Sequence, residues 1–200
     1  MTKRSSPEFM HGSLEYWADL QSNRRHAPAF ARNNAQDKIV VERATVFESA
    51  RSLGAVGGSQ LDSIVAGPDN AYPDFTARLD GKAIAIELTE LLHSPGILRR
   101  AAKGRLNFEG LQWTEGRFRE RVSERINSKG DKLSKRGRSA DVLILHTDEP
   151  WLSPQMIEHW LDREAFSRRD EIEEAYLLTT YVPGYAEHWP MFSLYGSVNS

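Results

Sequence analysis

A mixed α/β domain (α/β with α+β character), in which helices flank a central mixed sheet, is predicted by three observations. First, Asp80-Gly81 joins two alternating runs within residues 72–90, YPDFTARLDGKAIAIELTE. Asp-Gly between such runs is a strong hairpin signal, because a two-residue type I′ turn needs φ > 0 at both central positions. Second, residues 37–53 and 109–135 carry apolar side chains at helical spacing. Third, residues 141–146, DVLILH, form a short apolar run with polar ends, the pattern of a strand buried on both faces. Its place after a helix predicts a crossover connection back into the sheet.

Composition narrows the class. Two hundred residues with 40% hydrophobic content suit one domain with a sizeable core. No apolar run approaches the roughly 18 residues of a membrane span, and the N-terminus lacks the apolar segment of a secretory signal, so a cytoplasmic protein without membrane contact is expected. The absence of cysteine excludes disulfides, thiol nucleophiles and cysteine-ligated zinc. The formal charge of −2 hides an asymmetry: residues 99–138 hold 13 Lys/Arg against 5 Asp/Glu, out of totals of 26 and 28. A basic segment inside an otherwise acidic chain suggests a polyanion-facing surface beside an acidic centre, although a solvated charged helix would look the same.

Taken in order, residues 1–12 mix charge, Ser, Pro and Gly without an apolar period and are expected to be a disordered leader. Residues 13–36 form an arm in which Ser13 caps a short helix carrying Leu14, Trp17 and Leu20; Arg24, Arg25 and Arg32 follow, suited to nucleic acid or to a neighbouring subunit. Residues 37–200 make the single domain. Its first helix is expected to bury Ile39, Val40, Ala44, Phe47, Ala50 and Leu53 and to stop at Gly54, with a loop over 54–58. A first strand spans 61–65, closed by the turn signal Gly67-Pro68-Asp69-Asn70.

In the hairpin the turn fixes the register: Leu79 faces Lys82, Arg78 faces Ala83, Thr76 faces Ala85 and Asp74 faces Glu87. Phe75, Ala77, Leu79, Ile84, Ile86 and Leu88 then share an apolar face, and Asp74, Thr76, Ala83, Ala85, Glu87 and Thr89 the other. Two carboxylates directly opposite each other, roughly 5 Å apart at Cβ, repel unless a cation lies between them. By the same parity Glu90 points away from Glu87. Residues 91–110 are poorly periodic and include Arg99, Arg100, Lys103 and Arg105.

The second main helix, 109–135, buries Phe118, Val122, Ile126 and Leu133. Lys129 falls within about 40° of that stripe, and a lysine turned toward a core asks for a carboxylate or phosphate partner. Gly130 is a possible early stop for this helix, which would leave Lys129 in solvent. Ser153-Pro154 opens a third helix with Met156, Ile157, Trp160 and Leu161 inside, and residues 175–182 and 189–195 close the fold as two strands.

Pro73-Asp74 followed by Ile84-Ala85-Ile86-Glu87-Leu88-Thr89 resembles the PD-(D/E)XK nuclease superfamily, whose motif is an Asp at the start of one strand and (D/E)-x-K on the next. The resemblance covers the hairpin closely, and the element order over 37–148 loosely. It implies a restriction-endonuclease-like αβββαβ core with extra C-terminal strands. It also implies metal-dependent hydrolysis of nucleic acid, DNA first, with Mg²⁺ (or Mn²⁺) held by Asp74, Glu87 and the Leu88 carbonyl. Thr89 stands where the motif has lysine. In several branches of the superfamily that lysine sits on the following helix, and Lys129 resembles such a relocated residue, with Lys132 as second choice. A glutamate on the first helix often reaches the site; Glu42 is the candidate here, ahead of Glu48. Arg117, Arg121, Arg125, Lys135 and Arg136, with the four basic residues of 91–110, would hold the phosphate backbone. The alternative is a catalytically inactive member of the same fold that binds nucleic acid or protein, since Thr cannot replace the charge of Lys. A homodimer is left open. His146-x-Asp148 is a weaker metal pair, His93, His159 and His188 share no ligand spacing, and no phosphate-binding or nucleophile-elbow glycine motif is present.

Overall fold

A computed structural model describes residues 35–68, 72–93, 112–149, 151–163, 165–180 and 187–196, with the side chains of 35–39 and 56–57 excepted. The arm and leader, and Arg99, Arg100, Lys103 and Arg105, lie outside these residues. The elements run α1 (Ala35–Gly57), β1 (Leu61–Ala66), β2 (Phe75–Leu79), β3 (Lys82–Glu90), α2 (Glu115–Ser134), β4 (Ala140–Thr147), α3 (Pro154–Leu161), β5 (Ile172–Thr179) and β6 (Met191–Tyr195). All six strands join one sheet in sequence order. β3, β4 and β5 run parallel to their neighbours within that trio, and the β1–β2, β2–β3 and β5–β6 pairs are antiparallel. The fold is therefore mixed α/β, with helices on both faces of a mixed sheet.

The hairpin adopts the predicted register, from Leu79↔Lys82 to Phe75↔Ile86, across a turn with φ of 50° at Asp80 and 83° at Gly81. Asp80 also fastens the turn to the strand before it, its carboxylate accepting from the Gln60 N–H at 2.7 Å. Phe75, Ala77, Ile84, Ile86 and Leu88 are buried in one core layer together with Val142, Ile144, Leu178 and the α1 residues Val46 and Leu53. The opposite layer gathers Leu143, Leu145, Ala175 and Leu177 from the sheet against Phe118, Val122, Ile126 and Leu133 of α2 and Ile157 and Trp160 of α3. β4 contributes to both layers and is buried throughout apart from half-buried Asp141, as its unbroken apolar run predicts. The Ser153 cap behaves as read, its Oγ accepting from Met156 N–H ahead of Pro154; α2 has a cap that the sequence reading did not name, Thr114, whose Oγ1 accepts from Arg117 N–H.

Two expectations for α1 fail. The buried stripe is Val41, Thr45, Val46, Ser49, Ser52 and Leu53, while Val40, Ala44 and Phe47 face outward, Phe47 at 55% exposure. The hydroxyls make this inexpensive. Thr45, Ser49 and Ser52 each donate to the carbonyl four residues back, at 2.8–2.9 Å, so they enter the core with their polarity already met. Nor does the helix stop at Gly54; it runs on to Gly57, and the positive φ falls at Gly58 (68°). In the same way α2 passes through Gly130 and ends at Ser134, so Lys129 remains helical.

Candidate functional site

The site lies just ahead of the first residue of β2, where pairing with β3 has not yet begun. β3 runs on past the last pair, Phe75↔Ile86, so its residues 87–90 pair with β4 on one side and leave the other edge open. Extending the register one step past Asp74 would set Pro73 opposite Leu88, and proline has no N–H to offer a neighbouring strand. Side chains take over the exposed backbone. The Leu88 N–H donates to Asp74 Oδ2 at 2.8 Å, and the Leu88 carbonyl accepts from Lys129 Nζ at 2.9 Å.

Asp74 is held from several directions. Its carbonyl accepts from Gly67 N–H at 2.9 Å. A Cβ on Gly67 would stand 1.8 Å from the Pro73 carbonyl oxygen, so only glycine allows this approach. The Tyr72 hydroxyl donates to the Ser139 carbonyl at the head of β4, and its ring lies under the Arg138 guanidinium at 4.9 Å.

Glu87 and Asp74 come together through Lys129, as the hairpin register and the helix stripe predict. Lys129 Nζ lies 3.2 Å from Asp74 Oδ2 and forms a close ion pair with Glu87 Oε2. The lysine reaches them from α2, which lies over the face of β3 that carries Glu87. Glu87 is only 6% exposed. Burial lifts its carboxyl above the usual carboxylate range; Lys129 pulls it back down and Asp74 pushes it up. A carboxyl whose folded pKa exceeds its unfolded value stabilises the fold fully below the ordinary 4.5, and that contribution is lost as pH rises through the folded value. Hence Glu87→Gln is expected to gain stability relative to wild type as pH climbs from about 4 to about 8 in cation-free urea titrations. A difference independent of pH would count against this.

Asp74 and Lys129, with Glu87 buried beside them, open on a cleft of about 400 Å³ walled by Glu42, Asp74, Leu88, Thr89, Glu90, Leu92, Arg125, Lys129, Lys132 and His146. Glu42, the residue singled out on the first helix, therefore lines the same cleft, whereas Glu48 pairs with Arg51 at 3.2 Å. Thr89 and Lys132 lie in the wall as well. Arg125, Lys129 and Lys132 follow one edge of α2, spaced four and three residues apart. Glu90, set aside by parity, also lines the cleft, as does His146, read as half of a weaker metal pair whose other member, Asp148, is not among the walls. Strand parity points Glu90 away from Glu87, but at an open strand edge a cleft reaches both faces. The signal for this was Pro73, which ends the pairing that would have separated them.

Of the other basic candidates, Lys135 and Arg136 are exposed. Arg117 is half-buried and donates to the Gln112 carbonyl at 2.6 Å. Arg121 is buried and is a correction: its guanidinium donates to the Leu92 carbonyl at 3.1 Å and pairs with Glu124, which removes it from any backbone-binding surface.

As a cation cage the donors suit a hard ion. Two carboxylates, one just ahead of β2 and one on β3, and one main-chain carbonyl converge on a single point, which the Lys129 ammonium occupies. Mg²⁺ and Mn²⁺ are served by one or two carboxylates, with water and substrate oxygens completing the shell. Among the described residues there is no group of three or more His, Cys, Asp or Glu that could hold a metal ion. Also among them, no helix is long and apolar enough to cross a membrane. No family model matches the chain, and neither a curated protein nor a solved structure does.

A second polar cluster was not anticipated. Glu149, buried after β4, accepts from the His93 N–H at 2.8 Å and from the Trp113 indole N–H at 3.4 Å, and His93 stacks on Trp113 at 4.2 Å. It ties the residue that follows β3's exit to the residue that leads into α2. Nothing in the local sequence pairs these three positions.

Proposed function

We propose that this chain is a metal-dependent phosphodiesterase acting on nucleic acid, endonuclease-like and directed first at DNA, on a restriction-endonuclease-like core. The observation that carries the reading is the meeting of Asp74, Glu87 and the Leu88 carbonyl on Lys129, beside a polar cleft that Asp74, Leu88 and Lys129 line. Asp74, Glu87 and the Leu88 carbonyl would hold Mg²⁺ or Mn²⁺. A bound ion of this kind neutralises phosphate charge and lowers the pKa of coordinated water. Lys129 would add positive charge beside the scissile phosphate, and Lys132 and Arg125, along the same helix edge, would orient the anion in the cleft. Thr89 can hydrogen-bond water but supplies no charge. Glu42 lines the same cleft, suited to holding a water or an outer hydration shell. The net positive charge of residues 99–138, and exposed Lys135 and Arg136 past the helix end, suit contact with a phosphate backbone without sequence readout.

The second reading, an inactive binding module on the same fold, is favoured by one observation: Thr89 stands at the motif position, and the lysine on α2 is engaged with the acids. The two separate on Mg²⁺- or Mn²⁺-dependent cleavage of plasmid, single-stranded DNA and RNA. The expected result is cutting by wild type that EDTA abolishes and that Glu87→Ala reduces by at least about a hundredfold. Identical traces from both proteins, with retained salt-sensitive binding, would favour the binding module.

A further inference from the structure

Lys129 is fully occupied. An ammonium has three N–H donors and no acceptor. Here three oxygens surround it: Asp74 Oδ2 at 3.2 Å, the Leu88 carbonyl at 2.9 Å, and Glu87 Oε2 in a close ion pair. No donor is left for a phosphate or a water. In this arrangement the residue cannot do the work that a lysine does beside a scissile phosphate.

The three oxygens it takes are also those that suit a divalent cation. Carboxylate oxygens at about 2.1 Å from Mg²⁺ would set the ion and the ammonium well within 4 Å of each other. Two positive charges at that distance, behind a Glu87 that is 6% exposed, repel far more strongly than they would in water. Joint occupancy is therefore strongly disfavoured. The cleft that Lys129 lines, about 400 Å³, gives its flexible four-carbon stem somewhere to go.

We infer that the Lys129 ammonium and a divalent cation are alternative occupants of one oxygen cage, so that cation loading drives Lys129 into the cleft and converts it from an internal counter-ion into an anion-binding group. This rests on the metal-site reading above and adds a switch to it. Without metal the acids are neutralised from within, and the lysine is withheld. With metal the same lysine is released toward substrate phosphate. Cation and anion binding are then positively coupled through one side chain.

The test uses the full chain and needs no cleavage. Lysine acetylation is followed residue by residue by mass spectrometry as Mg²⁺ is titrated, and Mg²⁺ binding is measured by calorimetry on wild type, Lys129→Met and Lys132→Met. Acetylation of Lys129 is expected to rise about tenfold on Mg²⁺ saturation while that of exposed Lys135 stays constant. Lys129→Met should tighten Mg²⁺ binding about tenfold, and Lys132→Met, which removes a charge from the same cleft without emptying the cage, less than about threefold. Measurable Mg²⁺ binding with no change in Lys129 acetylation would overturn the exchange, as would equal tightening by both variants. The acetylation arm needs only wild type and so survives any folding defect in the variants. Absence of binding heat in both wild type and Lys129→Met would be a different failure: it would remove the metal reading itself, and the switch with it.

Discussion

Lys129→Met is expected to cost about 3 kcal/mol of unfolding free energy at pH 7 in cation-free buffer, the residue's aliphatic bulk being kept. The loss arises at Glu87. Breaking a buried pair from one side leaves an uncompensated charge, a change worth about 3–5 kcal/mol when the charge must stay. Glu87 has an escape, because burial already lifts its carboxyl above the usual range and it can take a proton. Protonating a carboxyl of ordinary pKa 4.5 at pH 7 costs about 3 kcal/mol, which caps the loss. At pH 5 the same step costs under about 1 kcal/mol, so the defect should largely vanish there. Urea titrations of wild type and variant at the two pH values measure this directly. A loss that is equal at both would show that Lys129 acts through packing rather than charge. On the proposed metal reading, saturating Mg²⁺ should also restore the variant more than it stabilises wild type, since a ligand that binds only the folded state stabilises more the more tightly it binds.

That the meeting of Asp74, Glu87 and Lys129 was legible in the sequence follows from how short its argument is. Asp80-Gly81 admits one turn type, the turn fixes the register, and the register places Asp74 beside Glu87; the hairpin found runs in that register. Lys129 was legible for another reason. A lysine on an apolar helical stripe is an inconsistency, and such inconsistencies mark positions where a partner is waiting. The face of α1 was misread because apolar spacing was weighed without asking whether hydroxyls could bury themselves. Thr45, Ser49 and Ser52 satisfy their polarity within the helix, so hydrophobicity did not decide which side turned inward. Arg121 was misread for a related reason, because a guanidinium counts as surface charge until a buried carbonyl accepts from it. Glu42 lay between these cases. Its place beside buried Val41 was readable from helical geometry, but its place in the cleft depends on where β2 begins.

The Glu149 cluster was beyond reach of any local pattern, and the second large effect is expected there. Glu149→Ala should destabilise the fold by about 3–5 kcal/mol, since it leaves the buried His93 N–H without its acceptor and the Trp113 indole N–H likewise. The carboxyl also lies 3.8 Å from His93 Nε2, a contact that becomes an ion pair when the imidazole is protonated. Glu149→Gln separates these contributions. Its amide oxygen can still accept from the His93 N–H, so a loss of less than half the alanine value would assign most of the energy to hydrogen bonding, and a nearly equal loss would assign it to charge. Denaturant titration reads both variants, and an alanine variant within about 1 kcal/mol of wild type would contradict the burial argument. The consequence for the site is indirect but specific. Leu92, one residue before His93, lines the cleft, and its carbonyl accepts from Arg121 of α2, the helix that carries Lys129. A loosened Glu149 therefore frees the end of β3 and the start of α2 together, the two elements whose separation sets the distance from Lys129 to Glu87. If the proposed metal site holds, Glu149→Ala should then weaken Mg²⁺ binding although it touches none of the oxygens around Lys129.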